Sequence, residues 1–205
     1  LRESPDQIND NELQASMNYL LSQKGTLEPR LGFATINVQS QTPAGKILRG
    51  VFVFQKEDGT EKYVIRSANQ LYYLVSDNWT EITKGGGAAF AAGGDRTSAV
   101  NYRGCLYLAD GYNFIKWDGT TCSDVDVGAL DYILPYYLWV HDNRLWGGNL
   151  RMWNGSGYTA YPRSISWCQP QYDTQWTPPG DGAYNRIDFE YYVTGGVSFG
   201  HNVIC

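Results

Sequence analysis

The chain has 205 residues, 42% of them hydrophobic, enough to bury one substantial core. Its 16 Tyr, 7 Trp and 7 Phe against 2 Met, together with 23 Gly, favour half-buried strands joined by many tight turns. A net charge of −5, a pI near 5.0 and the lack of any Lys/Arg cluster argue against a protein that grips nucleic acid by its phosphates, and no apolar run approaches the ~20 residues of a membrane helix.

The first residues read differently from the rest. Ser4-Pro5-Asp6-Gln7 has the pattern of a capping box with Pro at the first helical position, and Asn9 with Glu12 offers a second start. Leu13, Met17, Leu20 and Leu21 then recur at helical spacing, and Gly25 is a natural stop. The spacing predicts one short amphipathic helix in an N-terminal segment, residues 1–26, which either covers an open end of a sheet or meets a partner.

From residue 27 to 205 the period changes to two, which predicts an all-β, mainly antiparallel domain. A strand is expected over Leu31–Val38, followed by a polar loop from Gln39 to Lys46. Strands at Gly50–Phe54 and Lys62–Arg66 flank Glu57-Asp58-Gly59-Thr60, and Asp-Gly between alternating runs is a strong hairpin signal.

A repeat follows. A strand meets a short polar turn and a Leu-aromatic pair opens the next strand at Leu71-Tyr72, Leu106-Tyr107 and Leu145-Trp146. A third strand, Phe114–Trp117, ends in the turn Asp118-Gly119, with a shorter counterpart ending at Trp79. A period near 40 residues with about four strands per unit is the size of a β-propeller blade, so blade-like repeats, with an incomplete ring, are the expected architecture. A plain meander or sandwich is the alternative. The tract from Lys84 to Gly94 lacks the Gly-Lys-Ser/Thr and the following helix of a phosphate loop, and reads as a flexible or interface-forming connection that includes Phe90.

Little in the sequence points to catalysis, to a cofactor or to a metal. Cys105, Cys122, Cys168 and Cys205 are widely spaced, and there are only two His. Free structural thiols and a Cys105–Cys122 disulfide are both compatible with this spacing, the former fitting a chain without a signal peptide. Asp118, Asp126, Asp142, Asp173 and Asp181 could gather from separate blades, but mostly flank Gly or sit where Asp serves turn geometry. His141 occupies a turn-adjacent position of the repeat. Tyr136, Tyr137, Trp139, Trp146, Trp153, Tyr158 and Tyr161 crowd one region and suit sugar stacking if exposed together, or blade cores and protein interfaces if covered. The start at Leu1 and the stop at Cys205 in a strand-like run carry the expectation of a piece of something longer.

Two stretches resemble the tail nozzle or hub proteins of tailed phages, the tail tubular protein B family. Ser4-Pro5-Asp6-Gln7, then Asn18, then Gly25-x-Leu27-Glu28-Pro29-Arg30-x-Gly32-Phe33 is similar to the opening of such chains, although Pro29 here precedes Arg30 instead of following it. His141-Asp142-Asn143-Arg144-Leu145-Trp146, then Arg163–Cys168, then Tyr172-Asp173-x-x-Trp176 resembles their Asn-Arg-Leu strand, Ser-rich strand and Asp-x-x-x-Trp/Phe turn. The resemblance implies a structural virion protein, assembled in the host cytoplasm. It would form a ring of copies of itself, typically a hexamer, between portal or adaptor proteins and tail fibres. Genomic DNA would meet it only in passage, eased by an acidic lumen, and the chain would not insert into a membrane. The contact elements expected under this reading are the helix residues Leu13, Met17, Leu20 and Leu21, the tract with Phe90, and the loop 149–162 with Trp153 and Tyr158. The alternative is a receptor- or glycan-binding module on the virion; a third reading, a carbohydrate-active enzyme, would need paired acids in a cleft.

Overall fold

The computed structural model describes residues 19–21, 27–29, 47–67, 69–85, 90–91, 96–127, 133–170, 173, 176, 186–199 and 202–204. They belong to two units, residues 1–38 and 39–205.

In the first unit, β1 (Tyr19–Leu21) pairs antiparallel with β2 (Leu27–Pro29), Leu20 lying opposite Glu28. Leu20 and Leu21 are thus in a strand, and the helix expected over residues 1–26 does not run through them. A short strand that finds a partner six to ten residues on satisfies its backbone across the ladder, which overrides a helical spacing of apolar side chains. Leu13, Met17 and the expected strand Leu31–Val38 lie outside the described residues.

The second unit holds three four-stranded antiparallel sheets, each made of consecutive strands in sequence order. The first contains β3 (Leu48–Gln55), β4 (Glu61–Ser67), β5 (Gln70–Val75) and β6 (Asn78–Ile82). The second contains β7 (Ser98–Tyr102), β8 (Cys105–Ala109), β9 (Phe114–Trp117) and β10 (Cys122–Asp124). The third contains β11 (Ile133–His141), β12 (Arg144–Trp153), β13 (Tyr158–Trp167) and β14 (Arg186–Asp188). A two-stranded hairpin, β15 (Val197–Phe199) with β16 (Asn202–Ile204), follows. The all-β, antiparallel character is as the sequence predicts, and no α-helix occurs among the described residues.

The turns explain the strand boundaries. Asp58-Gly59 closes the β3–β4 hairpin, with Gly59 at φ 85° and the Asp58 carboxylate accepting the Thr60 N–H at 2.8 Å. Ser76-Asp77, Arg103-Gly104 and Asp142-Asn143 all have positive φ at both residues, the backbone of the tight turns that match strand twist. The repeated Leu-aromatic pairs do open β5, β8 and β12. The repeat is not in phase, however: its turn joins the second and third strands of the first sheet but the first and second strands of the other two.

Side-chain alternation divides the cores. Along β8, Leu106 and Leu108 face the first sheet, whereas Tyr107 and Ala109 face the third. Along β9, Ile115 and Trp117 join the first core while Phe114 joins the second. The middle sheet is therefore buried on both faces. This also settles the thiols: Cys122 lies in the core with the first sheet, Cys105 packs against the opposite core, and both are free, as is Cys168. Burial pushes the Cys122 thiol up to about 12, so it stays protonated.

The leading strands of successive sheets lie side by side. The Asn101 amide on β7 bridges the free edge of β3, accepting from the Gln55 N–H at 3.1 Å and donating to the Val53 carbonyl at 2.8 Å. Thr97 N–H donates to the Arg49 carbonyl at 3.3 Å. Likewise the Leu138 N–H of β11 donates to Ser98 Oγ of β7 at 2.9 Å. β15 stands in the same relation to β11: His141 Nδ1 and Ser198 Oγ are 2.9 Å apart, and the Gly196 backbone lies so close to the Trp139 indole that a Cβ there would sit 2.5 Å from it.

Candidate functional site

The seven aromatics that crowd residues 136–161 do not form one surface. The β11–β12 ladder is interrupted at Tyr136 and Asn149, the latter at φ 53°. On one side of that irregularity Ile133, Leu150 and Met152 face the second core; on the other, Leu138, Val140 and Leu145 do. The parity of the alternation is thus reversed there, and the aromatics divide between two clusters.

Tyr137, Trp139 and Trp146 go to the outer face of the third sheet with Trp167, Ile165 and Val193. Trp139, Trp146 and Trp167 sit directly opposite one another across β11, β12 and β13. Their rings stack at 6.2 Å and 4.7 Å between centroids, and Trp146 Nε1 donates to the His141 carbonyl at 3.0 Å. Such cross-strand aromatic pairs stabilise the sheet. His141 is a structural partner of this ladder, meeting the Trp146 ring edge-on at 5.9 Å.

Tyr136, Trp153 and Tyr158 gather at the other side with Tyr112, around the Arg151 guanidinium. Arg151 lies 4.3 Å from the Tyr112 ring centre and 5.1 Å from that of Tyr158, and donates to the Gly111 carbonyl at 2.9 Å. Trp153 meets Tyr158 edge-on at 5.3 Å, and Tyr136 meets Tyr112 edge-on at 6.4 Å. Gly111, at φ 76°, is pressed against the Tyr136 ring, where a Cβ would fall 2.2 Å from it. Only glycine fits that approach. Tyr161 is set apart, beneath the Arg186 guanidinium at 4.7 Å.

Tyr112 and Tyr158 border a cleft of roughly 320 Å³ between the second and third sheets. Its floor includes Val125, Ile133 and Leu134. At its wall the Lys84 ammonium pairs with the Asp124 carboxylate at 2.7 Å. The chain arrives at Lys84 just after β6, where its backbone bridges to Cys122 in parallel. The loop bearing Tyr112 is fixed by Asp110, whose carboxylate accepts the N–H groups of Tyr112 at 3.0 Å and Asn113 at 2.7 Å. Asp110 is itself paired with Arg66 of β4 at 3.5 Å, both side chains 2% exposed. Desolvation lowers the Arg66 pKa, and the Asp110 charge opposes that shift. Asn113 grips the backbone of Ala91 from both sides, at 2.8 and 3.0 Å. Phe90, expected at an interface, is buried in the first core under the Arg66 guanidinium.

Among the described residues the acidic candidates do not assemble. Asp118 accepts the N–H groups of Thr120 and Thr121 in the turn after β9, which holds its carboxyl below the ordinary range against the effect of burial. Asp142 forms a turn, Asp126 is exposed, and Asp181 lies outside the described residues. Among the described residues no three His, Cys, Asp or Glu side chains gather as a metal site would require.

Asp173 has a role that turn chemistry did not suggest. Its carboxylate accepts from Lys116 Nζ at 2.6 Å and from the Tyr107 hydroxyl at 2.9 Å, tying the segment after β13 to the second sheet. Burial works to raise its pKa, but these two hydrogen bonds and the Lys116 charge outweigh burial and hold it below 3.8. A carboxyl with a depressed folded pKa adds stability above its unfolded value and loses it as pH falls through the folded one. Asp173→Asn should cost about 1.5–3 kcal/mol near neutral pH. Its stability should also fall less than that of the wild type between about pH 5 and pH 2. Urea unfolding across that range checks this; parallel curves for the two proteins would remove Asp173 from the acid response.

No family model matches the chain, and no curated protein or solved structure matches it.

Proposed function

We propose that the chain is a structural component of a bacteriophage tail, of the nozzle or hub type, built of propeller-like blades and acting through assembly into a ring. The observation that carries the reading is apolar side chains left open at both ends of the sheet series. On the first sheet Val51, Val53 and Tyr63 are exposed, and on the last strand of the third sheet and just after it Ile187, Phe189, Tyr191 and Tyr192 are exposed. Association of two unlike faces is heterologous and generates rings when the rotation closes. The blade reading draws support from the side-by-side leading strands β3, β7 and β11, with β15 next in line. Partners on this reading are further copies of the chain, portal or adaptor proteins and tail fibres, with DNA passing a mildly acidic lumen.

Light scattering at several concentrations tests it. A stable mass several times 23.0 kDa, reduced to the monomer by Val51→Glu with Val53→Glu, is the expected result; a wild-type monomer at all concentrations would sink assembly in the free state. The second reading, a glycan-binding module on the particle, is favoured by one observation: Tyr112 and Tyr158 are 44% and 39% exposed and border the same cleft.

A further inference from the structure

We propose that the cleft bordered by Tyr112 and Tyr158 is a binding site for a neutral saccharide. The inference rests on the binding-module reading and is independent of ring assembly. At roughly 320 Å³ the cleft stands at the small-molecule end of the usual range of about 300–1,000 Å³.

Its chemistry is two-sided. The Tyr112 and Tyr158 rings present apolar surface suited to the C–H face of a pyranose. Arg151 lies against both rings, and the edge-on contacts with Tyr136 and Trp153 hold each in place before any ligand arrives. A pre-formed platform of this kind avoids the ordering cost of binding. Opposite, Asp124 has a side chain 63% exposed, with oxygens open to accept from ring hydroxyls, while Lys84 steadies it at 2.7 Å.

The charges select the class. Lys84 and Asp124 cancel, and the Arg151 cation is held between two rings and against a carbonyl. A phosphate or sulfate would need an unpaired cation fork to replace its water, and this wall offers a cation already matched to a carboxylate. Neutral hydroxyls, which both donate and accept, fit a carboxylate–ammonium pair without displacing it.

The test is saturation-transfer NMR on the whole chain with glucose, galactose, mannose, N-acetylglucosamine, cellobiose, lactose and chitobiose. Ring C–H protons of at least one sugar should take up saturation. Affinity for it should fall about tenfold in Tyr112→Ala and in Tyr158→Ala. Tyr158→Phe should retain most of the binding, and Val75→Ala, an exposed position on β5 outside the cleft, should leave it unchanged. Circular dichroism checks that each variant keeps its sheet signal. Sugar binding indifferent to both tyrosines would overturn the cleft while leaving the binding-module reading in place. No saturation with any sugar would overturn both, and neither outcome touches the mass measurement that tests assembly.

Discussion

Arg66→Ala will lower the unfolding free energy by about 3–5 kcal/mol, because it leaves the Asp110 carboxylate buried without its cation. Arg66 comes from β4 of the first sheet and Asp110 from the turn after β8 of the second, and both side chains are 2% exposed. Arg66 also donates to the Ala91 carbonyl at 3.3 Å and covers the Phe90 ring at 4.9 Å. Removing both charges is a different experiment. In Arg66→Met with Asp110→Asn, no uncompensated ion is left, the Tyr112 and Asn113 N–H groups keep an acceptor, and the methionine refills the space. That double variant should recover most of the loss. Urea unfolding of the three proteins reads the comparison directly. A single variant no less stable than the double one would show that the pair is not the cause.

The second large effect is expected at Trp117. Its side chain is fully buried in the first core, with Phe54 at 5.0 Å and Tyr73 at 5.1 Å between ring centres and the Lys62 ammonium over its face at 5.4 Å. Trp117→Ala should cost about 3–5 kcal/mol through lost transfer energy and the cavity left behind, and Trp117→Phe distinctly less. The denaturant midpoint should fall with little change in slope. A loss under about 1 kcal/mol would mean that the first and second sheets do not depend on each other there.

Much of the fold was legible because its signals are local. Asp58-Gly59 announced a hairpin, and the Leu-aromatic pairs at residues 71, 106 and 145 marked strands that open after tight turns. What the repeat could not reveal was its phase, since β3 adds a leading strand to the first sheet only by pairing with β4. The helical spacing of Leu13, Met17, Leu20 and Leu21 was misleading at its end, where β2 captures β1. The disulfide question turned on which face each cysteine points to, and that follows from strand register, not from spacing.

The site was less legible, for physical reasons that can be named. Tyr136 and Trp139 are three residues apart on β11, yet they join different clusters, Tyr136 with Tyr112 of the second sheet and Trp139 with Trp146 across the ladder. Tyr112 and Arg151 drew no notice because one sits in a turn and the other on a strand 39 positions later. A sequence signal did exist: Arg66 breaks an apolar run, Val64-Ile65-Arg66, and a cation in such a strand asks for a buried anion. Asp110, followed by glycine after the apolar run of β8, was the place to look.

The double burial of the middle sheet has a consequence for how the molecule comes apart. Every strand of the three sheets neighbours the next in sequence, so each sheet can form from nearby contacts and should do so quickly. Joining the sheets is the slower, cooperative step. Because β8 and β9 supply side chains to both cores, opening the outer sheets could expose one core at a time, whereas loosening β7–β10 would wet both at once. Slow amide exchange should therefore concentrate on β8 and β9, with the first and third sheets opening as separate, less protected units.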